Sequence, residues 1–486
     1  MELISTRNSD LTITPLEAVI QGLAPDGGLY VPGVFPVTDS GFIDSLKDLS
    51  YPELASRIIG LFFDIDDLND IMSEAYSSFD TEEVAPVKDL GSMGYVMELY
   101  HGPTLAFKDM ALQVLPRLMS RARKYTKGKD ILILTATSGD TGKAALEGFA
   151  DVEGTKIVVF FPNDGVSDMQ KLQMVTQQGK NVLVSSVNGN FDDAQSAVKQ
   201  VFSSDSFRSK AKGYRLSSAN SINFGRLAPQ IAYYYHAYVS LIRKGMISNG
   251  DRVNFTVPTG NFGNILAGYY AKRMGLPVNR LICASNRNRV LTDFFMTGEY
   301  DSRREFFKTP SPSMDILISS NLERLIFELT ERDSGLTASL MHDLSSSGHY
   351  EITNSMKERL KDFYAGFTDN GACLDTVSRI FKEYSYLTDP HTAVAMNVYS
   401  EYMKETGDKA PNVTVSTASP FKFVTDVYAS LTKEHISEPF RAAIELSSFT
   451  GIPVPVQIMR LKDAKIRFNN VINKDEMEKT ILDFIR

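Results

Sequence analysis

Lys108 stands between an apolar run, Leu105-Ala106-Phe107, and Asp109-Met110-Ala111-Leu112-Gln113, where apolar residues begin to recur at helical spacing. Gly102 and Pro103 make residues 101–104 a turn, so the lysine falls near the N-terminus of a helix predicted over 109–124. A cation there sits at the unfavourable end of the helix dipole, and its apolar neighbours strip its water. Both effects favour the neutral amine. A neutral amine condenses with an aldehyde. Most lysines are solvated surface residues, so the rest of the chain must decide whether this one is chemical.

Two glycine-rich segments offer anion cradles. Thr137-Ser138-Gly139-Asp140-Thr141-Gly142-Lys143 follows a continuous apolar run at 131–134, and Thr259-Gly260-Asn261-Phe262-Gly263-Asn264 follows a strand predicted at 252–257. In each, glycines let the backbone approach a ligand and a following helix N-terminus exposes amides to it. The first is no nucleotide P-loop, which needs glycine where Thr137 stands and a hydroxyl where Ala144 stands; neither has the G-x-G-x-x-G spacing. Taken alone, either could be a plain tight turn. Between them, residues 217–226 place hydroxyls and amides, including Asn220 and Ser221, ahead of Arg226. Its planar fork of donors suits phosphate or carboxylate, although a helix cap would use the same Ser and Asn residues. Hydroxyls gather again at Ser416-Thr417-Ala418-Ser419, after a predicted strand at 413–415.

An apolar lysine, two strand-to-helix glycine loops and a hydroxyl cluster match what a pyridoxal 5'-phosphate enzyme requires. A hydroxyl facing the pyridine nitrogen, in place of a carboxylate, leaves that nitrogen largely unprotonated and favours elimination chemistry. The six histidines form no HExxH or similar spacing and Cys283 and Cys373 form no CxxC, so no metal site is predicted. A Gly-x-Ser-x-Gly elbow and paired carboxylates for glycoside cleavage are also missing.

The elements that must position these residues alternate. Strands at 131–134, 156–161, 181–185, 252–257 and 280–284 are interleaved with helices at 143–150, 168–177 and after Asn264, which predicts α/β architecture with parallel, doubly wound sheets. Ligands in such sheets bind at the carboxyl ends of strands, where both glycine loops lie. With 486 residues the chain is too long for one core. The expected division is an N-terminal packing domain at 1–90, a smaller lobe with Lys108 at 91–240 and a larger lobe at 241–486. Residues 334–380 read as helices joined by polar breaks, 454–458 as a strand, and Tyr233-Tyr234-Tyr235 as core or subunit interface. A net charge of −8 argues against a nucleic-acid-binding body. With no apolar run long enough to span a bilayer, no signal peptide and two isolated cysteines, a cytoplasmic protein acting on a metabolite is expected, as monomer or homodimer.

The motifs together resemble the threonine synthase family. His-Gly-Pro-Thr-Leu-Ala-Phe-Lys-Asp (101–109), Thr-Ala-Thr-Ser-Gly-Asp-Thr-Gly (135–142), Ser-Ala-Asn-Ser-Ile-Asn-Phe-Gly-Arg (218–226), Gly-Asn-Phe-Gly-Asn (260–264), Ser-Pro-Ser-Met-Asp (311–315) and Asp-Pro-His-Thr-Ala (389–393) carry the resemblance, with Gly-Leu-Ala-Pro-Asp-Gly-Gly-Leu-Tyr-Val-Pro (22–32) near the start. It runs from residue 5 to about 425 and implies two doubly wound lobes of the fold type II pyridoxal phosphate enzymes, as in tryptophan synthase, plus an N-terminal domain. It implies conversion of O-phospho-L-homoserine and water to L-threonine and phosphate. Lys108 would bind the cofactor and move protons; Gly260, Asn261, Phe262, Gly263 and Asn264 would hold the cofactor phosphate. Thr137, Ser138, Asp140 and Thr141 would flank the cofactor ring and substrate, Asn220, Ser221 and Arg226 would take the substrate phosphate, and Thr417, or failing it Ser416, would face the pyridine nitrogen. The family usually has histidine where this chain has Ser419, which puts an acid-base role there in doubt. A phospho-lyase releasing 2-oxobutyrate, phosphate and ammonia from the same substrate is the alternative; a β-replacement enzyme on serine or cysteine derivatives and a binding module with an inert lysine lie further off.

Overall fold

The computed structural model describes residues 1–486 apart from Lys127, Ser138, Asp164, Gly165 and Ser167, and apart from the side chains of Tyr125, Thr126, Phe191, Asp192 and Ser203. Two parallel sheets organise it. The larger has the strand order Phe363–Phe367, Val278–Ser285, Val253–Pro258, Asn412–Ser416, Tyr95–Glu98, Val87–Asp89, and only the last pair is antiparallel. The smaller runs Val471–Ile472, Val182–Val187, Thr155–Pro162, Asp130–Ala136, Tyr214–Ser217, parallel throughout. Both are covered by helices, which is why their central strands are buried throughout; those of the smaller sheet read as nearly unbroken apolar runs, whereas Val253–Pro258 and Asn412–Ser416 also bury Asn254, Thr256, Asn412 and Thr414.

A 20-residue helix, Phe224–Arg243, is buried along nearly its whole length and packs against Gly263–Met274 on one side and Tyr51–Ile59 on another. Tyr233, Tyr234 and Tyr235 lie within its buried part. Asn223 caps it by accepting from the Gly225 N–H at 2.9 Å. At the N-terminus, Leu3–Ser5 pairs antiparallel with Thr12–Ile13 and Tyr30–Pro32, and Thr14 with Glu17 forms the capping box that starts helix Pro15–Gln21.

Four readings of the sequence are corrected. The sheets cross the expected boundaries at 90 and 240: Tyr95–Glu98 belongs to the larger sheet, and Val471–Ile472 adds to the smaller. The segment 334–380 contains the strands His349–Glu351 and Phe363–Phe367; the latter forms an edge of the larger sheet, supported on one side only, so its short sequence carries little alternation. Residues 456–462 are helical, with Ile458 and Leu461 buried one turn apart, where the Val-Pro-Val-Gln-Ile alternation suggested a strand. The helix expected over 109–124 breaks into Asp109–Leu112 and Leu115–Ala122, followed by a 3-10 turn at Arg123–Thr126. Pro116 has no N–H and cannot continue the first helix. The Leu112 carbonyl left free by the break faces Gly148, where a Cβ would come within 1.9 Å of it, so only glycine fits. Among the described residues, no helix is long and apolar enough to cross a membrane.

Candidate functional site

Lys108 occupies the N-cap position of Asp109–Leu112, as the turn chemistry predicts. The turn before it is stitched to residues 417–419. The Phe107 N–H donates to the Thr417 carbonyl at 2.8 Å, the Ser419 N–H donates to Leu105 O at 3.0 Å, and Ala106 bridges Ala418. Leu105 takes a left-handed φ of 60° within this stitch. Gly102 lies against Asp109, whose carboxylate accepts from both the N–H and the hydroxyl of Thr104 at 2.8 and 2.7 Å. Burial pushes the Asp109 carboxyl up to about 6 against those hydrogen bonds.

The Lys108 side chain is 12% exposed, with Nζ 3.2 Å from Ser313 Oγ and 3.5 Å from Asp140 Oδ2. Burial lowers its pKa; Asp140 opposes that shift, and the nearby charges of Lys422 and Arg226 add to it. Asp140 stands in the first turn of helix Asp140–Phe149. Its Oδ1 accepts from Lys422 Nζ at 2.7 Å and Gln170 Nε2 at 2.9 Å, and its Oδ2 accepts from Ser313 Oγ at 3.1 Å. Burial alone would raise its pKa, but Lys422, Lys108 and the hydrogen bond from Gln170 hold the carboxyl well below the usual range. Behind Ser313, His391 Nε2 accepts the Ser313 N–H at 3.2 Å while its Nδ1 faces Asp389 at 2.8 Å, which fixes the orientation of the ring.

Of the two glycine loops, the first is largely closed on itself. Thr137 Oγ1 accepts from the N–H groups of Gly139 and Gly142 at 3.1 and 2.9 Å, and Gly139 O accepts the N–H groups of Gly142 and Lys143. Thr141 is partly exposed in the first helical turn; Ser138 lies outside the described residues. In the second loop, the N–H groups of residues 260–264 have no partner among the described residues. Phe262 adopts a left-handed φ of 63° at the N-cap of Gly263–Met274. Asn264 Oδ1 accepts the hydroxyls of Tyr233 and Tyr234 at 2.7 and 2.8 Å, which leaves its buried Nδ2 without a partner. Gly260 packs on the turn carrying Ser313: a Cβ there would lie 2.8 Å from Ser313 O.

Arg226 is buried. Its Nη1 donates to Ala219 O at 2.7 Å, and its Nε has no partner. Burial pushes its pKa down to about 10. A buried guanidinium with no carboxylate beside it among the described residues favours an incoming anion. Ser221 Oγ accepts from Asn321 Nδ2 at 3.3 Å; Asn220 lies one residue before it, its N–H on Ser218 Oγ at 3.2 Å. Thr417 is buried beside the lysine turn, and Ser416 Oγ contacts Thr392 Oγ1 at 3.0 Å. Ser419 Oγ accepts the Phe421 N–H at 3.3 Å, capping the 3-10 turn Pro420–Phe423.

Sequence reasoning missed Lys422, Gln170 and Arg324. Lys422 lies in Pro-Phe-Lys-Phe, with the same apolar flanks that drew attention to Lys108, so a signal was present. Arg324 gave none. Fully buried, it donates to Tyr30 O (2.9 Å), Asn321 Oδ1 (2.5 Å) and Ile222 O (2.6 Å), while Asn321 Nδ2 donates to Asn261 O at 2.9 Å. Directly at Ile222 and through Asn321 at Asn261, this side chain ties the N-terminal segment to residues 217–226 and to the loop at 259–264.

The family described as "Pyridoxal-phosphate dependent enzyme" matches residues 85–418, "Threonine synthase N terminus" residues 2–76, and "Threonine synthase, C-terminal" residues 392–481. The chain is 40% identical over 455 residues to human threonine synthase-like 1, covering 90% of this chain; it spans only 61% of that relative's length. It is 37% identical over 454 residues to the threonine synthase of Schizosaccharomyces pombe, covering 86% of this chain and 87% of that one. The crystal structure of a pyridoxal phosphate-bound threonine synthase from Brucella melitensis superimposes with a TM-score of 0.89 at 36% identity, over 100% of both chains.

Proposed function

The chain belongs to the threonine synthase family of pyridoxal-phosphate dependent enzymes, and on that premise we propose that it converts O-phospho-L-homoserine and water to L-threonine and phosphate. The observation that carries this reading is the second anion site. The loop at 260–264 provides one set of free donors, and Arg226, buried and without a carboxylate, provides another. A phosphorylated cofactor needs the first; a phosphorylated substrate needs the second.

The residues present fit the cofactor: unpartnered amides and Asn264 Nδ2 suit its phosphate, and Lys108 is the buried amine for its aldehyde carbon. Gly260, Asn261, Phe262, Gly263 and Asn264 would hold the phosphate, Thr417 would stand by the ring nitrogen, and Asp140 would lie alongside. Once bound, pyridoxal phosphate supplies the electron-accepting ring that makes Cα and Cβ protons removable. The remaining work falls to the chain. Arg226, with Asn220 and Ser221, orients the departing phosphate; Thr137 and Thr141 line the substrate. Lys108, whose pKa burial lowers, takes the α-proton and later returns a proton, with Ser313 Oγ beside it as hydrogen-bond acceptor. Ser419 Oγ accepts the Phe421 N–H and so helps to shape the turn that carries Lys422.

Product analysis with O-phospho-L-homoserine and added pyridoxal phosphate, following phosphate, threonine and 2-oxobutyrate together, tests the proposal. Threonine equal to phosphate supports it. Phosphate with 2-oxobutyrate moves the enzyme to the phospho-lyase reading. A K108A protein that still forms threonine ends both.

A further inference from the structure

We infer that Lys422 is a positioning residue for the amine of Lys108: by pairing with Asp140 it keeps that carboxylate from forming an exclusive ion pair with Lys108, and so leaves the Lys108 amine free to react. The inference deepens the proposed function, resting on Lys108 as the reacting amine and not on the identity of the substrate.

The geometry sets the two lysines apart. Lys422 Nζ is 2.7 Å from Asp140 Oδ1, whereas Lys108 Nζ is 3.5 Å from Oδ2 and 3.2 Å from Ser313 Oγ, which itself donates to Oδ2. Lys422 is the more enclosed, its side chain 1% exposed against 12% for Lys108, and it also donates to Thr104 O at 2.9 Å. That second bond anchors it to the turn that carries Lys108. Gln170 donates to Oδ1 as well, so that oxygen is filled from two directions. Asp140 is thus fixed with Oδ1 on Lys422 and only Oδ2 toward Lys108.

The charges around Lys108 come from several elements: Asp140 on Asp140–Phe149, Lys422 on the 3-10 turn Pro420–Phe423, and Arg226 on Phe224–Arg243. Asp109, on the lysine's own helix, faces Lys422 as well and is bound by Thr104. With Lys422 present, a protonated Lys108 would share Asp140 with a second cation and feel the repulsion of Arg226 as well. Without Lys422, that carboxylate would be left to Lys108, and the ammonium would gain what the amine loses. A purely structural lysine would tie Thr104 to the 3-10 turn and leave the titration of Lys108 untouched.

The test follows Lys108 itself in the full-length protein freed of cofactor. The rate of acylation at Lys108 is measured against pH by peptide mass spectrometry, in wild type, K422M, K422R and K422M/D140N. In K422M the apparent pKa of Lys108 is expected to rise by about 1 unit or more, which lowers the neutral fraction near pH 7 about tenfold. K422R should titrate near wild type, and K422M/D140N, which removes both charges of the pair, at or below it. An unchanged Lys108 in K422M, or a raised one in the double variant, overturns the inference. Should K422M fail to fold, the double variant and K422R decide between the same outcomes. Borohydride fixation of the cofactor in the wild-type holoenzyme separately checks the premise: a label on a lysine other than Lys108 refutes the site reading whatever Lys422 does.

Discussion

The glycine loops at 137–143 and 259–264 follow one grammar, parallel strand, glycines, helix, and the structure uses their amides in opposite ways. In the first, Thr137 turns its hydroxyl inward onto two N–H groups, and Asp140 sits in the first turn of the helix, facing the positive end of its dipole. Four of its amides already have partners: Thr137 bonds Phe160 O, and Gly139, Gly142 and Lys143 bond within the loop. In the second loop the first helical turn has no acid, the amides of 260–264 have no partner among the described residues, and Asn264 leaves a buried NH2 free. Two loops of equal sequence promise thus divide the work: one fixes a carboxylate next to a lysine, the other leaves donors for an anion. Glycine content alone marks close approach; the side chains that fill or leave the amides decide what approaches.

If that division is right, damage to the loops should separate into stability and cofactor affinity. The largest effect is expected for D140N, which leaves Lys422 buried without its counter-charge. Breaking a buried pair from one side costs about 3–5 kcal/mol, read as a lower urea midpoint. A loss below about 1 kcal/mol would be no more than an exposed pair gives and would deny the first loop its structural role. G260A comes next and should act on affinity. Its Cβ would meet Ser313 O at 2.8 Å and Met314 Cα at 3.1 Å, both backbone, so the loop must lift from the turn. Strain of about 1–3 kcal/mol corresponds to roughly 5- to 150-fold weaker pyridoxal phosphate binding, checked by fluorescence titration. T137V should lose about 1–3 kcal/mol of stability from newly unpaired amides and leave cofactor affinity unchanged. A T137V protein with normal stability and weak cofactor binding would reverse the comparison.

What the sequence made legible follows the same physics. Lys108, the two loops and the alternating strands are local patterns, and residues next to one another in the chain carry them. The Asp140–Lys422 pair joins positions far apart in sequence, and Arg324 reaches Tyr30, Ile222 and Asn321 from three separate segments. No local pattern encodes a partner that only the fold brings close. Ser313 and His391 fall between these cases: their motifs drew notice, but only the contact of His391 with the Ser313 N–H shows that one supports the other. The membership of Tyr95–Glu98 in the larger sheet was hidden for a related reason. Its neighbour Asn412–Ser416 arrives more than three hundred residues later, in parallel register from Val413 opposite Tyr95 to Ser416 opposite Glu98.

The smallest expected effect lies outside both loops and sets the background against which their pH dependence must be read. His101, at the start of the lysine turn, contacts Asp80 at 2.7 Å and Glu98 at 3.0 Å. Desolvation alone would lower its pKa, but the hydrogen bonds to Asp80 and Glu98 prevail and raise it to about 9. The unfolded imidazole titrates near 6.5, so the folded state binds the proton more tightly. The sign follows: the stabilisation is fully present below about pH 6.5 and is lost as pH rises through about 9. Because the ring is partly exposed and screened, the contribution should be about 1 kcal/mol. The stability gap between wild type and H101N, measured by urea unfolding from pH 5 to 10, should therefore be constant at the acid end and close across that window. A gap that widened with pH would mean that the imidazole is neutral in the native protein, and any pH dependence in the variants above would then have to arise from the buried Lys108, Asp140 and Lys422 cluster.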